Sequence, residues 1–230
     1  MTTQAMTDAC LHSFLVLLAQ RPPARITLAD VAAGAGCPLS ELRAAFSSVD
    51  DMLAAFFRAT DRRVLAEGEA DDGDLAEESP QARLFEVLMR RIDALEPHKE
   101  AVHTLMRASH RDPLLALRLA RLSERSQRWM LAAAGIDCTG LAGEMRAKGL
   151  AVMFARVVDV WLKDEDPGLS RTMATLDQEL ANGAKMLGML DDLLFILMPW
   201  RRRRRSISRK GRGASDNAPD VETETMPGHA

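Results

Sequence analysis

Apolar side chains recur at intervals of three and four along almost the whole chain, and alternating runs rich in β-branched residues are missing. A chain patterned this way buries stripes rather than sheet faces, so the fold class it predicts is all-α. The chain has 230 residues, 47% apolar and 27% charged, which suffices for one sizeable core or two small packed lobes. That composition excludes collagenous, mucin-like and wholly disordered classes. No apolar run reaches the roughly 18 residues of a membrane span. Three cysteines (Cys10, Cys37 and Cys138) make no disulfide framework, and with no signal peptide in view the expected location is a reducing cytoplasm.

The punctuation between the apolar stripes places the helices. Phe14, Leu15, Leu17 and Leu18 mark a first helix over about 7–20, which Pro22 and Pro23 cannot continue. Thr27 and Asp30 form a capping pair that opens a second helix, and Gly34 to Gly36 close it. A short third helix follows Cys37 and Pro38, with Leu39, Leu42 and Phe46 on one face. A fourth starts near Ser48, where Asp50 and Asp51 suit the positive end of the helix dipole. Between 67 and 78 lie seven acidic residues, two glycines and no basic one, which predicts a linker or solvated hinge. Further helices are expected over 81–95, 99–109, 113–134, 141–162 and 169–187, each gap carrying proline, glycine or aspartate. The resulting division is 1–66, a linker 67–80, a helical lobe 81–187, an amphipathic terminal helix 186–200, and a basic then acidic tail 201–230 expected to be disordered.

Three short helices with a glycine turn between the second and third make a helix-turn-helix candidate, a geometry that sets the third helix in a major groove. The string from Ile26 to Gly36 (ITLADVAAGAG), followed by Leu42, Phe46 and Leu53, resembles the DNA-binding region of the tetracycline-repressor (TetR) family over roughly residues 6–64. The resemblance implies an all-helical second lobe, a homodimer, duplex DNA as partner, and repression relieved or imposed by a small hydrophobic effector. It implies DNA contacts from Thr27, Cys37, Pro38, Leu39, Ser40, Glu41, Arg43, Ser47 and Ser48. Pro38, Arg43 and Val49 stand where the family commonly has a hydroxyl cap, a phosphate-touching tyrosine and a phosphate-touching lysine, and Glu41 stands where a small residue is common. Six arginines balance six acidic residues over 1–66, so this lobe carries no net charge to drive counterion release.

In that family the last two helices pair with their mates, which implies an isologous contact through Leu169, Met173, Leu176 and Leu180. An effector pocket between helices would draw on Phe85, Met89, Leu105, Met106, Leu119, Trp129, Met153 and Phe154, residues that otherwise read as ordinary core. A second resemblance covers about thirty residues. Trp161, Asp164, Thr172, Met173, Leu176, Asp177 and Leu180 look like the pattern of the coenzyme Q biosynthesis lipid-binding family, which shares this fold without acting as a repressor. It implies, as the alternative, a lipid ligand and peripheral attachment at the inner face of the membrane. The surface for that would be Leu193, Leu194, Phe195, Leu197 and Trp200, followed by five arginines beginning Arg201 and Arg202, which suit anionic head groups. The same stretch reads equally as a last core helix before a solvated basic tail. No phosphate loop, nucleophile elbow or paired-cysteine zinc spacing occurs, so neither an enzyme nor a cofactor or metal site is expected.

Overall fold

The computed structural model describes residues 3–70 and 78–197, with Thr3, Ala70 and 184–197 as backbone. Among the described residues every regular element is helical: α1 (Thr3–Gln20), α2 (Leu28–Ala35), α3 (Leu39–Ala45), α4 (Val49–Ala70), α5 (Pro80–Leu95), α6 (Lys99–Ser109), α7 (Pro113–Ala133), α8 (Gly140–Trp161) and α9 (Ser170–Leu197). Short 3-10 turns at Pro23–Arg25 and Glu96–His98 link α1 to α2 and α5 to α6. No described helix is long and apolar enough to cross a membrane. Residues 1–184 form one compact unit and 185–230 a second, and both lobes expected from the sequence lie in the first.

Local chemistry accounts for most of the boundaries. At α2 the Thr27 hydroxyl accepts from the Asp30 amide and the Asp30 carboxylate accepts from the Thr27 amide, each at 3.1 Å. This is the capping box that the sequence predicts, and it satisfies two amides that a first turn leaves orphaned. Pro80 and Pro113 open α5 and α7, where a missing N–H costs nothing. The Asp112 carboxylate caps α7 by accepting from the amides of Leu114 and Leu115. Three of the expected bounds shift, the first being α1, which begins at Thr3 and not near residue 7. α4 runs to Ala70, into the interval read as linker, carried by buried Val64, half-buried Leu65 and the Arg63–Glu67 pair at 2.9 Å, one turn apart. α9 extends to Leu197 as one element, so no separate helix begins near 186.

α1 lies against α2 and α6, burying Phe14 and Leu18, while α4 continues from the first lobe to pack on α5 and α7. α7 packs on α8. One connected set of buried side chains runs from Cys10, Phe14 and Leu42 through Phe56 to Leu88, Ile92, Met130 and Trp161. In its middle sits a buried polar cluster. Asp61 of α4 accepts from the Arg91 guanidinium of α5 and from the Ser126 hydroxyl of α7. Arg91 also lies over the rings of Phe57 and Phe154, at 6.0 and 5.6 Å. Burial pulls its pKa down and Asp61 opposes that.

Candidate functional site

The turn between α2 and α3 is built from two glycines with different duties. Gly36 takes the left-handed conformation (φ 66°) that ends α2, and its amide donates to the carbonyls of Ala32 and Ala33. Gly34 lies inside α2, where a β-carbon would stand 2.4 Å from the Ser13 hydroxyl of α1. Cys37 and Pro38 then lead into α3. Pro38 has extended backbone and supplies no side-chain cap, as its substitution for a hydroxyl residue implies.

α3 turns Leu42 inward, only 1% exposed, and leaves Pro38, Leu39, Ser40, Glu41 and Arg43 on its outer face. Thr27 is exposed at the start of α2. Ser47 and Ser48 are committed to the cap of α4: Ser47 donates from its amide and hydroxyl to Asp51, and the Ser48 hydroxyl accepts from the Asp51 amide. Those bonds, that of the Ser47 amide above all, hold the Asp51 carboxyl below the usual carboxylate range. Cys37 corrects one expectation. It is buried, 9% exposed, with its sulfur facing Cys10 and turned away from the α3 surface.

The cations divide sharply. Arg21 pairs with Asp30 at 2.8 Å, Arg118 of α7 with Asp50 at 3.0 Å, and Arg58 stands 3.8 Å from Asp51. Among the described arginines of residues 1–66, Arg25, Arg43 and Arg62 are exposed and have no carboxylate partner, Arg62 lying on α4. Arg25, in the turn before Thr27, was not singled out by the sequence. The signal for it was its place two residues ahead of the capping box.

A three-helix unit with an exposed third helix, joined through one long helix to an all-helical lobe, defines a helix-turn-helix fold with a helical second lobe. Solved structures bear that out. The chain is similar to a TetR transcriptional regulator from Nitrosomonas europaea, with TM-score 0.61 and 21% identity over 78% of this chain and 98% of that one. A TetR transcriptional regulator from a Rhodococcus species matches at TM-score 0.54 and 18% identity, over 80% and 97% of the two chains. A tetR-family regulator from Streptomyces coelicolor matches at 0.52 and 14%, over 89% and 93%. No protein-family model and no curated protein matches the chain. The fold is thus that of TetR regulators, at identities that establish fold alone.

The remaining expected site residues separate. Leu105, Met153 and Phe154 are buried, and Phe85, Met89, Met106 and Leu119 pack half-buried against the core. Trp129 is 59% exposed and does not face the interior, because Ser126, Gln127, Met130 and Leu131 take the inward side of α7. A cleft of about 580 Å³ opens elsewhere, lined by Pro22, Ala24, Ser48, Arg107, Arg111 and Arg118. Gln127 is fully buried, and among the described residues its amide has no hydrogen-bond partner.

Leu176 and Leu180 are buried against their own chain, which removes them from an expected contact with a second copy. Met173 is 41% exposed, and Leu169 sits half-buried at the corner before α9 with a left-handed backbone (φ 51°). Leu141, Met145 and Val152 present an apolar stripe on α8 instead, all at least half exposed. The second resemblance falls on structural residues. The Trp161 indole donates to Glu96 at 2.8 Å, and Asp164 accepts from the Thr172 amide and hydroxyl at 2.9 and 2.7 Å. Lys99 lies over the Trp161 ring. These contacts tie the α8 to α9 corner to α5 and α6. The side chains of Leu193, Leu194, Phe195 and Leu197, and all of Trp200, Arg201 and Arg202, fall outside what is described.

Proposed function

We propose that the chain is a cytoplasmic, non-enzymatic transcriptional regulator of TetR type that binds operator DNA as a homodimer. α3 enters the major groove, with Leu39, Ser40, Glu41 and Arg43 at base edges and Arg25 on phosphate. The observation that carries this reading is the pair of exposed arginines without carboxylate partners, Arg43 on the outward-facing α3 and Arg25 in the turn that leads into α2. In a lobe with no net charge, arginines left unpaired are the source of the counterion release on which affinity rests, and these two are assigned to it. Effector control passes through α4, which begins beside α3 and is held at Asp61 by Arg91 and Ser126. A hydrophobic effector that parts α5 from α7 and offers a polar group to the buried Gln127 amide tilts α4, and with it α3.

Gel-retardation titration against the DNA flanking its own gene tests the reading. Specific retardation with a steep salt dependence is expected, and Arg25→Ala should reduce the salt slope by about one. Arg43→Ala should weaken binding and relax sequence preference. Retardation unchanged by both substitutions, or no retardation at low salt, rejects it.

A further inference from the structure

Two thiols that DNA binding does not use meet behind the recognition turn. Cys10 lies on α1 and Cys37 between the left-handed Gly36 and Pro38, 27 residues apart in sequence, with their sulfurs 3.6 Å apart. A disulfide needs about 2 Å between sulfurs, so closing the gap takes a shift of about 1.5 Å and no refolding. Cys10 is wholly buried, whereas Cys37 keeps a small exposed surface. We propose that Cys10 and Cys37 form a modification site for hydroperoxides, oxidised to a disulfide that ties α1 to the turn between α2 and α3.

The exposures assign the roles. The Cys37 sulfur, as thiolate, attacks a peroxide oxygen; the O–O bond breaks, hydroxide leaves and Cys37 becomes a sulfenic acid. The Cys10 sulfur then attacks the Cys37 sulfur, the S–O bond breaks, and the Cys10 proton leaves with the hydroxide as water. Two thiols are oxidised and one hydrogen peroxide is reduced to two waters, the proton released by Cys37 going to the first hydroxide. Burial, then the hydrogen bond to Cys37, pushes the Cys10 thiol up to about 11, which excludes Cys10 from the first step; in the second its proton passes to the departing hydroxide.

The link has a mechanical consequence. α1 is fixed on both sides, with Phe14 and Leu18 fully buried and Thr104 of α6 bonded to the Ala19 carbonyl. The turn therefore yields, and Cys37 is drawn toward α1 together with the start of α3. Groove recognition tolerates little displacement of that size. Oxidation should lower operator affinity, a consequence that rests on the function proposed above, whereas the disulfide itself does not.

The test treats the full-length chain with hydrogen peroxide under native conditions, blocks remaining thiols and digests with trypsin. Because Arg21 precedes proline and resists cleavage, peptides 1–25 and 26–43 carry the two cysteines separately. They should appear joined with the loss of two hydrogens, unchanged by Cys138→Ala and abolished by Cys37→Ala or Cys37→Ser, with circular dichroism reporting that each variant folds. Cys10 and Cys37 still free after a dose that oxidises Cys138, or joined only in urea, overturns the proposal. In parallel, retardation of operator DNA should weaken by about tenfold on oxidation, equivalent to about 1.4 kcal/mol, and recover with dithiothreitol. Joined peptides with unaltered retardation overturn the coupling to DNA. A reduced protein that ignores DNA while the peptides still join refutes the regulatory reading alone.

Discussion

Ser13 of α1 reaches the Val31 carbonyl of α2 at 2.9 Å only because residue 34 lacks a β-carbon. Gly34→Ala should push that buried hydroxyl off its acceptor and cost about 1–3 kcal/mol. With Ser13→Ala in place the new methyl meets Ser13's β-carbon position at 3.6 Å, an ordinary contact. Alanine's helix propensity, about 1 kcal/mol better than glycine's, then makes the same change neutral or stabilising. Urea midpoints of the four proteins check this reversal of sign. The buried charges give a second case. Asp61→Asn leaves the Arg91 cation, 3% exposed, without its counter-charge and should cost about 3–5 kcal/mol, whereas Asp61→Leu with Arg91→Met should recover most of that loss. Denaturant unfolding of both variants decides between a paired charge that must be kept whole and one that contributes stability of its own. Neither site was legible in the sequence. Gly34 reads there as part of a helix end, and nothing in the spacing of Asp61, Arg91 and Ser126 brings three helices together.

Among the elements, those closed by local chemistry were read correctly. Thr27 and Asp30, Gly36, and the prolines at 80 and 113 act on their own neighbours, so α2, α5 and α7 begin or end within a residue or so of where the sequence puts them. α4 and α9 were misjudged because no stop signal of that kind ends them. The same distinction holds in the site. The outward face of α3 follows from its period of 3.6, but the inward turn of Cys37 depends on where α1 lies, and the committed hydroxyls of Ser47 and Ser48 depend on Asp51. At the start of α9 the cap is supplied from outside the helix, by Asp166 for Ser170 and by Asp164 for Thr172. The bonds that Asp164 accepts from Thr172, foremost that with the Thr172 side chain, hold its carboxyl below the usual 3.8. A depressed folded-state pKa adds stability that is complete above the unfolded value and is lost as pH falls through the folded one. Asp164→Asn should therefore destabilise the chain at pH 6, and the gap between its urea midpoint and the parent's should narrow steadily below pH 3.8. A gap that stays constant would mean that the charge on Asp164 has no part in the cap.

For the whole molecule, the operator recognition proposed above would demand two copies, since one α3 covers only half of a two-fold site. With Leu176 and Leu180 occupied inside their own chain, the contact has to be sought on what the fold leaves outside. Leu141, Met145 and Val152 fall within about 40° of one another around α8, at 100° per residue. Gly149 and Ala155 are exposed beside them and add little bulk, while the exposed Lys148 edges the stripe with a stem long enough to carry its charge clear of it. Arg156 carries the stripe to α9 through its pair with Glu179 at 3.4 Å, where Met173 adds to the exposed apolar surface. Across a two-fold axis the stripe meets itself, and a charge placed there meets its own copy. The double change Met145→Glu with Val152→Glu should convert a sedimenting dimer into a folded monomer and abolish retardation of a two-half-site fragment, since repulsion adds to the loss of apolar burial. Leu117→Glu, an equally exposed position on α7, should leave both unchanged. A dimer that survives the α8 double change while Leu117→Glu breaks it would move the interface to α7.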